Sequence, residues 1–427
     1  MVIVSRPFLP VSREKARMPR APANGRRWSA RGSSLKPGTC REKKMDFKFK
    51  PEEEKFKEDV REFFIREEED VRRAREEWDG GQGFGPHCWS IIRKIGAKRW
   101  LCPTWPKEYG GLELSFVYRY IIMEQMHHFL NWVSTIAAGM AGPVILSRGS
   151  EAQKKEYLLR IASGEIEFVL GYTEPDAGSD IASLVIDAED KGEHFIISGS
   201  KLFNTRAHFA QYYWLGARTA DTIPAHKGIS LFIVDLKSPG ITVNPIWTVG
   251  GRRTNEVHFD KVRVPRAAMV GDKNRGFYYI MEAVDFERIS TVGGLERDFH
   301  ELLEYVKVHG LGKSSLNRQK LAELEVEIES AKLLALRAAW MLDRHQIPNH
   351  EAAMLKMVVS EIEQTLVNTA MQIMGPYGQV KKGSRWAPLN GKYEWRYRDS
   401  LEDLVTRGTS EIMRNIIALR GLKLPRE

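Results

Sequence analysis

Gly171-Tyr172-Thr173-Glu174-Pro175-Asp176-Ala177-Gly178-Ser179-Asp180, followed closely by His194-Phe195-Ile196-Ile197-Ser198-Gly199-Ser200-Lys201-Leu202-Phe203, marks where the grain of this 427-residue chain changes. The first string is a turn-rich stretch punctuated by Pro and Gly. The second is short and rich in β-branched and aromatic residues. Gly228-Ile229-Ser230-Leu231-Phe232-Ile233-Val234 and Asn255-Glu256-Val257-His258-Phe259 have the same character. No long helical pattern alternates with these strands. That argues against a βαβ sheet and for a small antiparallel barrel or sandwich over residues 167–270.

On both sides of this module the spacing is helical. Upstream, Phe56, Val60, Phe63 and Phe64 recur at helical intervals within the charged run Glu52–Glu69, and residues 117–132 and 151–163 continue the pattern. Trp105-Pro106-Lys107-Glu108-Tyr109-Gly110-Gly111 reads as a turn between them. Downstream, Leu321–Leu342 and Met354–Met374 carry apolar residues three and four apart, with Leu355, Val358, Val359, Ile362, Leu366 and Ile373 as one stripe. The expected architecture is multidomain α+β. An N-terminal helical domain (46–166) precedes the β module (167–270), and a C-terminal helical bundle (271–427) follows it.

The formal net charge of +9 belongs to one end of the chain. Residues 1–44 hold twelve Lys or Arg against two Glu, so they carry +10 and leave the remainder at −1. This segment is rich in Pro, Arg, Ser and Gly and lacks apolar periodicity, so it cannot offset its own ordering entropy. Three readings stay open: a start really at Met45, an organellar transit peptide, or a tail that binds an acidic surface. The near-neutral body gives no reason to expect nucleic acid as a partner. Cys40, Cys88 and Cys102 form no CxxC pair and suit a reducing compartment, so a cytoplasmic location is expected, or an organellar matrix if the tail is a transit peptide. The longest small-residue apolar run, Val133 to Leu146, is too short to span a bilayer.

Several chemistries find no footing. There is no GxGxxG, no GxSxG and no HExxH, and the eleven His show no metal-ligand spacing, so no metal site is expected. Gly312-Lys313-Ser314 mimics the end of a phosphate loop, but Lys307 stands where its first Gly should be. A polar ligand edge could instead meet Thr173, Gly178 and Ser179, because such turns present hydroxyls and free backbone N–H groups. Phe203 and Thr205 would share one strand face by two-residue alternation.

Five strings, in order and spacing, resemble the signatures of the acyl-CoA dehydrogenase family from Met45 to Pro425. They are Thr173-Glu174-Pro175 to Gly178-Ser179-Asp180, Lys201-Leu202-Phe203-Asn204-Thr205, Asn255-Glu256-Val257-His258-Phe259 with Val264-Pro265, Gln372-Ile373-Met374-Gly375 with Gly378, and Gly408-Thr409-Ser410-Glu411-Ile412-Met413-Arg414. The resemblance implies FAD as cofactor, contacted by Thr173, Gly178, Ser179, Phe203 and Thr205, and by Gln372, Gly375, Thr409 and Glu411, the last group often across a subunit boundary. Phe203 stands where the family usually has Trp. An acyl-CoA substrate would meet Ser179, Arg288, Arg407 and Gly408.

The implied reaction is α,β-dehydrogenation of the thioester. A carboxylate takes the α-proton while the β-hydrogen leaves as hydride to flavin N5. That proton is weakly acidic, so the base must be close and poorly solvated, and the carbonyl must be polarised. Relatives such as medium-chain acyl-CoA dehydrogenase carry the base just before Gly-Thr, where this chain has Arg407. Isovaleryl-CoA dehydrogenase places it in a Glu-Arg pair on a helix, matched here by Glu287-Arg288, and Glu287 is therefore the expected catalytic residue. On residue type alone, an exposed and ion-paired helical Glu is the commoner fate. The backbone N–H of Arg407 would polarise the carbonyl, and its side chain is expected near Glu287 or the acyl mouth. Expected partners are an electron-transfer flavoprotein or similar acceptor and further copies in a homodimer or homotetramer. The alternative is a catalytically incomplete subunit, active only beside a paralogous chain.

Overall fold

The computed structural model describes residues 47–79, 83–131, 135–287 and 291–426, apart from the side chains at 79 and 285–287. The tail 1–44 and Arg288 therefore lie outside the described residues.

Among the described residues six α-helices come first: α1 (Pro51–Arg66), α2 (Glu68–Asp79), α3 (Pro86–Ala97), α4 (Phe116–Leu130), α5 (Gly142–Arg148) and α6 (Glu151–Ala162). Their ends have local causes. Pro86 occupies the first turn of α3, where its missing N–H costs nothing. Ser150 and Gln153 form a reciprocal capping box at the start of α6. Helix α4 is apolar on more than one side because it serves two cores. Ile122, Met126 and Leu130 pack with the N-terminal helices and the β module, whereas Tyr120 and Ile121 pack with the C-terminal helices.

The middle region holds eight strands: β1 (Phe168–Gly171), β2 (Asp187–Asp190), β3 (His194–Lys201), β4 (Tyr212–Arg218), β5 (Ile229–Asp235), β6 (Ile241–Trp247), β7 (Arg253–Pro265) and β8 (Met269–Val270). They form one sheet in the order β6-β7-β3-β2-β4-β5-β8, with β1 on β4. The expected β module is present, but it is open and its pairing is mixed. Strands β1 and β2 both run parallel to β4, while the other pairs are antiparallel. An extra residue in β7 opposite Ile197–Gly199 shifts the register, so Phe259 and Val262 can both turn inward.

The C-terminal helices are α7 (Gly276–Glu287), α8 (Gly293–Val308), α9 (Ser315–Leu342), α10 (Asn349–Met374), α11 (Lys392–Val405) and α12 (Ser410–Ile416). Leu355, Val359, Ile362 and Leu366 bury one stripe of α10 as expected, against Leu324 and Ile328 of α9 and Leu302 of α8. No helix among the described residues is long and apolar enough to cross a membrane.

Candidate functional site

The first group of expected ligand residues is assembled by buried polar contacts around the end of β3. The Glu174 and Ala177 backbones bond reciprocally, at 2.9 and 3.2 Å, and close a tight turn over Pro175–Asp176. The Glu174 side chain folds inward. Its carboxylate accepts from Val185 N at 2.6 Å, Ile186 N at 3.0 Å and Lys201 Nζ at 2.8 Å. Lys201, with 0% of its side chain exposed, also donates to the Tyr172 carbonyl at 3.1 Å. Burial pulls the Lys201 ammonium down to about 8, against the opposing pull of Glu174.

The chain after Lys201 is then stitched on both sides. Leu202 N donates to Thr173 O at 2.9 Å. Asn204 N donates to Asn255 O, Asn255 Nδ2 returns a bond to Asn204 O at 2.7 Å, and Asn204 Nδ2 reaches Leu170 O at 2.8 Å. Three strings far apart in sequence thus meet at one place, on a sheet that fixes them.

The structure corrects one expectation here. Strand β3 ends at Lys201, so Phe203 and Thr205 do not share a strand face. Phe203 has φ 59°, a left-handed conformation disfavoured for an L-residue, and 60% of it is exposed. The turn aims its ring outward instead of into a core. Thr205 Oγ1 lies 3.3 Å from Thr254 Oγ1. Thr173 is half-buried, and Gly178 and Ser179 are exposed. A Cβ at Gly178 would meet nothing within 4 Å, so packing does not demand glycine there; it leaves the backbone open to a ligand.

A second group lies on the C-terminal helices. Gln372 accepts from Lys320 Nζ across α9 and α10, at the edge of a polar groove of about 540 Å³ that Glu323, Glu327 and Thr369 also line. Gly375 ends α10 with φ 58°. Thr409 caps α12, its hydroxyl accepting from Ile412 N at 3.2 Å. The Glu411 carboxyl is held below its ordinary range by its own backbone N–H and the Thr409 hydroxyl.

Between these helices the chain turns through two successive left-handed residues, Arg407 (φ 58°) and Gly408 (φ 95°). The Arg407 guanidinium donates to Asp403, one turn back on α11, at 3.1 Å. The Arg407 side chain is thus drawn back along the preceding helix. Glu287 is the last residue of α7. The start of α8 is pinned from α4: Val292 N donates to Glu124 at 3.2 Å, and His127 Nδ1 lies 3.1 Å from both Thr291 O and Thr291 Oγ1. Burial pushes the Glu124 carboxyl up to about 7, with Glu296 adding repulsion, and pulls His127 down to about 3, keeping that ring neutral.

Sequence reasoning passed over Lys201 and Asn204 as more than motif letters. The signal was available for Lys201, since Phe195, Ile197, Gly199 and Lys201 fall on the inward alternation of β3.

Three domain families match the chain: Acyl-CoA dehydrogenase, N-terminal domain over residues 50–165, its middle domain over 169–262, and its C-terminal domain over 274–422. The chain is 32% identical over 390 residues to "Acyl-CoA dehydrogenase FadE29" of Mycobacterium tuberculosis, covering 88% of this chain and 98% of that protein. Among solved structures it is similar to the Tcur3481-Tcur3483 steroid ACAD, with TM-score 0.83 and 29% identity over 90% of this chain and 100% of the other. It is also similar to the ChsE4-ChsE5 complex from Mycobacterium tuberculosis, with TM-score 0.80 and 27% identity over 90% and 100% of the two chains.

Proposed function

The chain belongs to the acyl-CoA dehydrogenase family, and on that footing we propose that it desaturates an acyl-CoA thioester between carbons two and three, with FAD as cofactor and Glu287 as base. The observation that carries this reading is the convergence at the end of β3. Buried contacts hold the Thr173–Asp180 turn and the Lys201–Thr205 turn side by side, while Phe203 and the Gly178 backbone stay open outward. That combination fits a large, flat, polar-edged cofactor. Bound there, the flavin supplies the two-electron acceptor.

The protein's own residues do the rest. Thr173, Ser179 and Thr205 offer hydroxyls, and Gly178 offers unobstructed backbone, to the ring system. Gln372, Gly375, Thr409 and Glu411 serve the cofactor's far end, in this copy or a neighbouring one. Glu287, on α7, takes the α-proton. The left-handed turn at Arg407–Gly408 presents backbone N–H groups for the thioester carbonyl, and Arg288 assists with CoA phosphates or with Glu287. An electron-transfer flavoprotein or similar acceptor reoxidises the enzyme, in the cytoplasm, where thiols such as buried Cys88 and Cys102 persist. Anaerobic titration with a panel of acyl-CoAs tests the reading: one flavin per site should bleach with at least one of them, and a flavin that none of them reduces would refute it.

A second reading has its own support. Both similar structures named above are pairs of different chains. If this chain is one half of such a pair, it purifies alone with little flavin and gains activity only on adding a paralogous chain. A homodimer or homotetramer that holds flavin unaided excludes that.

A further inference from the structure

Five side chains meet in series beside the proposed flavin face, and no step above uses them. The order is Phe84, Arg206, Trp78, Arg252 and Trp395, ring and guanidinium alternating. The Arg206 guanidinium lies 5.2 Å from the centre of the Phe84 ring and 5.5 Å from that of Trp78. That of Arg252 lies 5.7 Å from Trp78 and 5.1 Å from Trp395. All four distances are within reach of cation–π attraction, and a planar guanidinium stacks flat on a ring face as a compact ammonium does not.

The series ties three parts of the fold together. Trp78 belongs to α2 and Trp395 to α11, and the arginines between them come from the β module. Arg206 directly follows Thr205, and Arg252 stands two residues ahead of Thr254, whose hydroxyl lies 3.3 Å from that of Thr205. Each arginine also has its own carboxylate. Arg206 pairs with buried Glu167 at 2.5 Å, and Arg252 pairs with Asp399 of α11 at 2.8 Å, where 4% of the Asp399 side chain is exposed. The β6–β7 hairpin rests on α11 at two further points. Arg398 donates to Val249 O at 2.5 Å, and a Cβ at Gly250 would come within 2.8 Å of the Asp399 carboxylate. Asp399 lies one helical turn before Asp403, which holds Arg407 at 3.1 Å. Across that single turn α11 is gripped twice, by the arginine on the flavin side and by the arginine of the Arg407–Gly408 turn.

We propose that Arg252 is a positioning residue. Through the Trp78–Arg252–Trp395 stack and the Asp399 pair, it sets α11, and with it the Arg407–Gly408 turn, against the Thr205–Thr254 edge of the flavin site. The functional half of this statement rests on the dehydrogenase reading. Donors that polarise a carbonyl must sit within about 0.5 Å of their productive place, so a small shift of α11 is felt in the chemical step more than in binding.

Arg252→Lys keeps a charge for buried Asp399 and gives up the flat stack. With an acyl-CoA that bleaches the parent, its flavin reduction should slow about tenfold, kcat and kcat/KM falling together while flavin stays bound. Trp395→Phe, which retains a ring face, should stay within about twofold of the parent, and Trp395→Leu should slow as Arg252→Lys does. Reduction at the parent rate in Arg252→Lys, whatever its melting temperature, makes the stack mere packing and overturns the proposal. Amide exchange without substrate should quicken over residues 203–206 and 406–412 together in Arg252→Lys; exchange that quickens in neither segment, or in only one, overturns the link between them. A parent chain that no acyl-CoA reduces counts against the dehydrogenase reading alone, since exchange needs no substrate.

Discussion

Two regions bury charge beside the proposed site, and they do it differently. At the end of β3, Lys201 and Glu174 make a complete pair, 0% and 3% exposed, with the spare acceptor capacity of Glu174 filled by two backbone N–H groups. Near α11, Glu363 and Asp403 supply two acids, and water still reaches 32% of the Asp403 side chain. Burial works on opposite signs in the two places. It pulls a cation down to about 8 in one and pushes an acid up to about 8 in the other. The first region is a clamp that fixes backbone; the second leaves Glu363 sharing its cation, Arg396, with Asp298. A fully paired buried charge tolerates little change, whereas a pair short of cations responds to pH.

Breaking the clamp should have the largest effect. Lys201→Met strands a buried carboxylate and should cost about 3–5 kcal/mol in denaturant unfolding. The same variant should lose flavin, because the Thr173–Asp180 and Lys201–Thr205 turns part. Adding Glu174→Leu should restore much of the stability, since an apolar pair can replace a buried ionic one. If the single variant costs less than about 1 kcal/mol, the clamp is not what holds the turns.

The pH dependence sharpens the contrast. The depressed Lys201 ammonium lets the unfolded state bind more protons between about 8 and the ordinary 10.5, so its contribution to stability rises with pH there. Glu363 gives a falling contribution below about 8. Unfolding measured across both windows should show the falling limb vanish in Glu363→Gln and the rising limb persist. Asp403→Ala comes next in size, about 1 kcal/mol, because the Asp403–Arg407 pair is partly hydrated. Smallest is Phe203→Gly, which relieves a left-handed phenylalanine that buries little and should gain about 0.5–1 kcal/mol in thermal unfolding while weakening flavin binding.

Much of this was legible beforehand, where one face of an element meets one core. Helices α9 and α10 and strand β3 follow from periodicity because each buries one face, and β5 reads as a short, continuous apolar run buried on both sides. Helix α4 hides its logic, since it lies between two cores and needs apolar residues on both sides. The short strands β1 and β2 carry too few residues to show a pattern, and sharing one edge of β4 is a long-range fact. At the site, motif strings located the segments but not the forces. Nothing local marks Glu174 as buried, because that depends on Lys201, Val185 and Ile186 closing around its carboxylate, or Phe203 as turned outward by a left-handed backbone. Arg407 was expected near Glu287 or the acyl mouth, and its bond to Asp403 depends on α11 ending two residues before it.

The central claim is that the carboxylate at the end of α7 does the deprotonation. Stopped-flow mixing of anaerobic Glu287→Gln enzyme with an acyl-CoA that bleaches the parent tests it most directly. The account predicts flavin bound as in the parent and bleaching slowed at least about 100-fold. Bleaching at the parent rate would contradict it.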